Sequence, residues 1–206
     1  MSIDNTPNST YDDDDHRLSN VSSVELGEKL FHWGSYTTIP ALMLLLVFAS
    51  PTARSATVGT LMIVAGAGFR LYTCAFMSED LQDSVGSDYL ITTGPFALIR
   101  NPLYLANLIV IFGAIFYAKV VILGLPMIAF FLIQYYCITK YEEKTLLAKF
   151  GDDYQRYMER VPAWIPLNMP VADDITMPPN IAAAFRSEKK SLTAIACVLF
   201  LLMLAT

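Results

Sequence analysis

The placement of acidic residues constrains this chain more than any other feature. Of its 19 Asp and Glu, seven precede residue 31, and none falls in 31–78, 89–141 or 189–206. Those acid-free stretches are too apolar for a soluble core. Across the chain 54% of residues are hydrophobic and 16% charged, where a soluble domain carries about 25% charged. A helix needs about 20 apolar residues to cross the hydrocarbon of a bilayer. Five runs approach that length: Phe31–Ser50, Ala56–Met77, Leu103–Ala118, Val120–Ile138 and Ser191–Thr206. The expected fold class is therefore an all-α integral membrane protein with about five transmembrane helices. Little more than Lys119 separates the third run from the fourth, which predicts a tight helical hairpin.

Basic residues orient the spans, because Lys and Arg collect on the cytoplasmic side. Segment 139–190 holds eight of the 14 Lys and Arg. Placing it in the cytoplasm brings residues 1–30 and 78–102 to that side. The cytoplasmic count becomes 11, against Arg54 and Lys119 opposite. This predicts a cytoplasmic N-terminus and a C-terminus on the far side. Residues 1–30 are polar, with Asp12 to Asp15 in a row and no apolar run of the kind a signal peptide needs. They read as a disordered acidic tail preceding a membrane domain at 31–206. The net charge of −5 excludes a nucleic-acid partner. Cys74, Cys137 and Cys197 lie in apolar runs, as small hydrophobes do. His16 and His32 offer no metal-ligand spacing, so no metal is expected. Arg70 falls inside the second run. It either snorkels to the interface or faces a polar pocket as a buried cation. Gly66-Ala67-Gly68 reads as a close approach of two membrane helices.

Two segments carry more polarity than packing requires. The first runs from Tyr89 to Tyr104. Gly94-Pro95 signals a turn, and Pro102 suits the first turn of the third helix. Asn101 then sits at or near the N-cap. A helix N-terminus favours an anion, and the Arg100 fork could hold a carboxylate. An ordinary N-cap beside an interfacial arginine has the same spacing. The second segment runs from Tyr141 to Pro162. The fourth helix should continue to about Lys149, with Gly151 near its C-cap. Tyr154, Tyr157 and Val161 recur at helical spacing, as a face lying on the membrane would. Neighbouring residues on a helix diverge by about 100°, so only one of Glu142 and Glu143 should face a pocket between the third and fourth spans. Tyr135, Leu146 and Phe150 share a stripe with Glu142, which favours Glu142.

The run Thr93-Gly94-Pro95-Phe96, then Arg100-Asn101-Pro102-Leu103-Tyr104, precedes Glu142-Glu143, Leu146, Phe150-Gly151, Tyr154, Tyr157 and Val161-Pro162 by about 40 residues. Together they resemble the isoprenylcysteine carboxyl methyltransferase and phospholipid methyltransferase superfamily, over roughly residues 89–166. In that family the first motif is usually Arg-His-Pro, so Asn101 replaces a histidine, and Ala106 stands where a glycine is expected. The resemblance implies an integral membrane enzyme that uses S-adenosylmethionine. Its implied cofactor residues are Gly94, Pro95, Arg100, Asn101, Pro102, Leu103, Tyr104, Tyr135, Glu142, Glu143 and Phe150. Arg100, Asn101, Tyr104 and Glu142 are the implied catalytic set. Arg100 and Asn101 suit the cofactor carboxylate, and Glu142 or Glu143 its amino group or ribose. Tyr104, Tyr135, Tyr136 and Phe150 offer faces to adenine and sulfonium. The implied acceptor is lipophilic, a prenylated cysteine or a lipid, reached from the surrounding membrane lipids. The absence of a histidine from both motifs favours O- or S-methylation over N-methylation. A phospholipid N-methyltransferase, a small-thiol S-methyltransferase, a sterol-reductase-type enzyme and a non-catalytic scaffold are the alternatives.

Overall fold

The computed structural model describes residues 9–77, 89–166 and 179–204. Among the described residues every regular element is helical. The order is α1 (Ser9–Val47), α2 (Ala53–Cys74), a 3-10 turn (Gly94–Ala97), α3 (Pro102–Ala118), α4 (Val121–Phe150), α5 (Asp152–Arg160), α6 (Ile181–Ser187) and α7 (Lys189–Leu204). Helices α2 and α4 are each long and apolar enough to cross a membrane. The halves of α1, Ser22–Trp33 and Tyr36–Val47, make a third span if taken together, although they meet at a 71° bend. Helices α3, of 17 residues, and α7, of 16, are shorter. At 1.5 Å per residue they reach only about 25 Å, below a typical 30 Å hydrocarbon core.

Helix α1 departs from expectation twice. The apolar run Phe31–Ser50 is not one straight span, because the bend falls inside it and the helix ends at Val47. Residues 9–30, expected as a disordered tail, are helical. The part of this stretch nearest the core has a packing partner. Gly27 lies so close to the Cys137 carbonyl on α4 that no Cβ would fit, and the Phe31 ring is 5.7 Å from that of Tyr141. Residues 1–8 of that tail, all of 78–88 and the last two residues of the expected fifth span lie outside the described residues.

Small residues set the spacing of α2 and α3. A Cβ on Gly59 would stand 2.6 Å from the Gly113 carbonyl oxygen and the Tyr117 Cα. One on Gly66 would stand 3.0 Å from the Ala106 carbonyl oxygen, and Ala106 is fully buried. Gly68, by contrast, faces open space. Only the first of the two glycines in Gly66-Ala67-Gly68 therefore serves the helix approach. Hydrogen bonds fix the register at one end: Ser50 N–H donates to Ala118 O at 2.9 Å, and Ser55 Oγ to Tyr117 O at 3.1 Å. The expected hairpin follows at once, with Lys119 in the left-handed region at φ 60°.

Helix α4 runs on as helix to Phe150 and stops at Gly151, whose φ of 52° suits a residue without Cβ. The chain then turns into α5. Its Tyr154 and Tyr157 are buried in a cluster with Leu146, against Leu90, Phe150 and Val161. The face expected to lie on the membrane is covered by protein instead. Helical period identifies an apolar face but not what covers it.

Placing Ala at Gly59 should lower stability by about 1–3 kcal/mol, since backbone on α3 blocks the methyl group. Ala at Gly68 should be neutral or stabilising by up to about 1 kcal/mol, the propensity gain in a helix interior. Thermal unfolding in detergent checks the contrast, and equal losses would refute the close approach.

Candidate active site

The loop before α3 and the C-terminal part of α4 meet through an ion pair. Arg100 Nη1 lies 2.8 Å from Glu143 Oε1, and both side chains are 14% exposed. Glu143 also accepts from Lys140 Nζ at 3.2 Å, one turn earlier on α4. The loop is pinned from its other side. Arg100 N–H donates to Pro162 O at 2.9 Å, and Asn101 Nδ2 to Ala163 O at 3.1 Å. Asn101 is the N-cap residue of α3 and Pro102 its first, but the Asn101 side chain makes no cap bond. It is spent on the segment after α5 instead. The Arg100 Nε and Nη1 atoms are buried without an aligned hydrogen-bond acceptor. The pair with Glu143 is therefore close in distance but poor in angle, and the guanidinium also stands within hydrogen-bond reach of Tyr154.

Glu142 is buried on the neighbouring stripe. Tyr104 Oη donates to its Oε1 at 2.8 Å. The Tyr104 ring lies 5.0 Å from Tyr135 and 6.3 Å from Trp164, tilted in both cases. The facing assignment is thus half corrected. Glu142 does share the Tyr135 stripe, and Glu143 does sit with Lys140. Yet both carboxylates line one small cavity with Arg100, Asn101, Phe96 and Tyr154. Glu143 reaches it because its partner is the preceding loop, not a residue of α3.

That cavity holds only about 20 Å³, room for about one water. Behind Tyr104 lies a larger one of about 480 Å³, walled by Tyr104, Tyr135, Gln134, Asn107, Arg70 and Lys190. A third, of about 200 Å³, is lined almost wholly by apolar side chains of α1, α2, α3, α4 and α7. It shares Thr38, Ala194 and Ile195 with the second. Tyr104 is the partition: its hydroxyl meets the carboxylate of the first cavity while the residue lines the second.

The tyrosines of α5 are held neutral. Burial pushes the Tyr154 phenol up to about 12, and the Glu143 charge adds to this while Arg100 opposes it. Burial raises Tyr157 further, with Tyr154 adding to it. Tyr157 Oη donates to Phe96 O at 2.7 Å, which ties α5 to the 3-10 turn. Neither phenol offers a base near neutral pH.

Arg100, Asn101, Glu142 and Glu143 thus converge, with Tyr104 and Tyr135 beside them. The other predicted residues line none of these three cavities. Gly94, at φ 61°, is pressed on the Phe76 ring and with Pro95 shapes the turn. Pro102 starts α3, and Leu103 packs on the cluster around Cys74 and Ile91. Phe150 joins the Tyr154 cluster under Lys149, and Tyr136 is half-exposed beneath Lys140. Trp164, Asn107 and Glu188 went unnoticed in the sequence. Asn107 carried a usable signal, a polar residue in an apolar helix three positions from Tyr104.

A protein from Alcaligenes xylosoxydans xylosoxydans, the nickel-cobalt-cadmium resistance protein NccN, is 28% identical over 115 residues, covering 56% of this chain. The chain spans about half of that relative's length (51%). No solved structure matches. Residues 55–153, which supply most of α2, α3, the Arg100 loop and both glutamates, match the family model for phospholipid methyltransferases, a family within the isoprenylcysteine/phospholipid methyltransferase superfamily.

Proposed function

We propose that the protein is a multi-pass membrane methyltransferase that moves a methyl group from S-adenosylmethionine to a lipophilic acceptor, in the manner of isoprenylcysteine carboxyl O-methylation. The observation that carries this reading is the Arg100–Glu143 pair standing beside the Tyr104–Glu142 bond. A cofactor bearing both a carboxylate and an ammonium matches such a pair. Arg100 would take the carboxylate, using donors that are buried and unaligned in this structure. Glu143 would take the ammonium. The two side chains neutralise each other across a cavity too small for a nucleoside, so binding must part them. Glu142, held by Tyr104, would orient a ribose hydroxyl or the reacting region. Tyr104 and Tyr135 offer faces to a sulfonium.

When bound, the cofactor supplies a methyl carbon already activated for in-line displacement. The protein's part is positioning and exclusion of water rather than strong base catalysis. The position usually held by histidine is Asn101, and the nearby phenols stay protonated. An anionic oxygen or sulfur acceptor needs no base here, whereas an ammonium acceptor would. The apolar cavity that adjoins the Tyr104 wall is where a hydrocarbon chain would lie, reached laterally between helices. In this reading α1, α2, α3, α4 and α7 each cross the membrane, and the site opens to the cytoplasm, where the cofactor is made.

Three outcomes are expected. Purified protein given labelled S-adenosylmethionine should methylate N-acetyl-farnesylcysteine faster than phosphatidylethanolamine or 2-mercaptoethanol. Preference for phosphatidylethanolamine would replace the acceptor assignment, and no transfer to any would favour a scaffold. Second, Arg100→Ala should weaken cofactor binding by about 1.5–3 kcal/mol. Glu142→Gln should cut methyl transfer more than Glu143→Gln, whose larger effect should fall on cofactor affinity. Calorimetric titration and initial rates separate the two, and the opposite ranking would reverse their roles. Third, with Cys197 changed to Ser, a membrane-impermeant thiol reagent added outside intact cells should label Ala53→Cys and spare Gln155→Cys. The reverse pattern would invert the topology.

A further inference from the structure

Arg70 lies within α2 and is 16% exposed at its side chain. It is not left to the interface. Its Nε and Nη2 donate to the two oxygens of Glu188 at 2.5 and 3.1 Å. Its Nη1 donates to Asn107 Oδ1 at 2.7 Å, and Nη2 also reaches Ser191 Oγ at 3.3 Å. Glu188, only 4% exposed, sits at the junction of α6 and α7. This knot holds the start of α7 against α2 and α3. It also forms one wall of the 480 Å³ cavity, opposite Tyr104 and Tyr135.

The wall carries a net charge. Arg70 and Glu188 cancel, but Lys190 lines the same cavity. Among the described residues no carboxylate is paired with it, and none lines that cavity. Asn107 and Ser191 add polar groups. The lining is therefore cationic on the α2–α7 side, through Arg70 and Lys190, while α3 and α4 supply Tyr104 and Tyr135 together with the amides of Asn107 and Gln134. Thr38, Ala194 and Ile195 line both it and the apolar cavity between α1, α2, α3, α4 and α7. A positive polar cavity and a hydrocarbon-lined one thus adjoin across a shared wall. A molecule complementary to both is an amphiphile with an oxyanion at its head.

We propose that Arg70, Lys190, Asn107 and Ser191 form an oxyanion subsite that anchors the head of the lipophilic acceptor, with its chain in the adjoining apolar cavity. This rests on the reading above that the site serves a lipophilic acceptor. It adds which group of the acceptor is recognised, and from which helices. The Arg100 pair lies in a different cavity, on the other side of Tyr104, and is reserved for the cofactor. Lys190, exposed at the rim, supplies a charge with which no carboxylate among the described residues is paired. Arg70 supplies a guanidinium whose own counter-ion, Glu188, sets how much of its charge an incoming oxyanion meets. A carboxylate and a phosphate share this chemistry.

The test is calorimetric titration of the full chain in phosphatidylcholine nanodiscs, with empty nanodiscs as reference. The probes are dodecanoate, dodecyl phosphate and dodecan-1-ol. Both anions, or one of them, should bind about tenfold more tightly than the alcohol, the scale of one charge-assisted hydrogen bond. A preference for dodecanoate assigns a carboxyl head, and a preference for dodecyl phosphate assigns a phospholipid-like one; either supports the subsite. Lys190→Gln should weaken the preferred anion by about threefold and leave the alcohol unchanged. Glu188→Gln should tighten it, because Arg70 loses its counter-ion, and a damaged fold does not produce tighter binding. Equal binding of all three probes, or a preferred anion unmoved by both substitutions, overturns the subsite. Titration with S-adenosylmethionine on the same samples keeps the two proposals apart. Cofactor binding without anion preference removes only the subsite, and anion preference without cofactor binding removes the methyltransferase reading.

Discussion

The architecture of the site turns on an ion pair between the loop before α3 and helix α4, reinforced by the Tyr104–Glu142 bond and by Leu90 packed on the cluster around Leu146. Arg100 stands in an irregular loop, and Glu143 stands well inside a 30-residue helix. Both are largely buried, so neither charge is solvated by bulk water. Removing one partner from such a pair leaves a charge that burial penalises, at a cost of about 3–5 kcal/mol where burial is complete. The pair therefore holds the loop against α4. Because the loop also receives Pro162 and Ala163 through Arg100 N–H and Asn101 Nδ2, the chain after α5 is drawn to the same point. Three segments converge on two adjacent residues, and the wall that Tyr104 and Trp164 provide follows from that convergence.

The rest of the helical assembly gives those segments fixed positions to converge from. Glycines 59, 66 and 113 let α2 and α3 approach to backbone contact, which is how membrane helices associate without a hydrophobic driving force between them. With that spacing set, Arg70 on α2 comes within reach of Asn107 on α3, and Glu188 closes the cluster from the start of α7. Two ionic knots result, one on each side of the Tyr104–Tyr135 stack. Each is made by residues of different helices, so each fixes the cavity walls as well as neutralising its own charge.

How much of this was legible follows from what sequence periodicity measures. The stripe of Tyr135, Glu142 and Leu146, the helix start at Pro102 and its stop at Gly151 are local properties, and the structure has all of them. The motif brought Arg100, Asn101, Tyr104 and both glutamates to one place. What was not legible is long-range. Arg70 and Glu188 are 118 residues apart, and no spacing rule links an arginine in one span to a carboxylate before another. The α5 tyrosines showed an apolar face, but membrane and protein are equally good covers for such a face. The helical content of α1 beyond the apolar run depends on contacts such as Phe31 with Tyr141, 110 positions away and absent from local composition.

Polar groups inside an apolar assembly must find partners, and most here do so in sequence. Glu188 bonds Arg70, Arg70 bonds Asn107, and Tyr104 bonds Glu142. Against that background the exceptions are informative. Among the described residues the buried side-chain atoms without a hydrogen-bond partner are Arg100 Nε, Arg100 Nη1 and Thr139 Oγ1. Thr139 is 2% exposed and lies four residues before Glu143, hence on the same side of α4. The unspent hydrogen-bonding capacity is thus concentrated on the ion pair and one turn behind it. An unmet buried donor costs about 1–3 kcal/mol, a burden that a purely structural clasp could shed by better alignment. Under the proposed function, these are the donors that a cofactor carboxylate would engage.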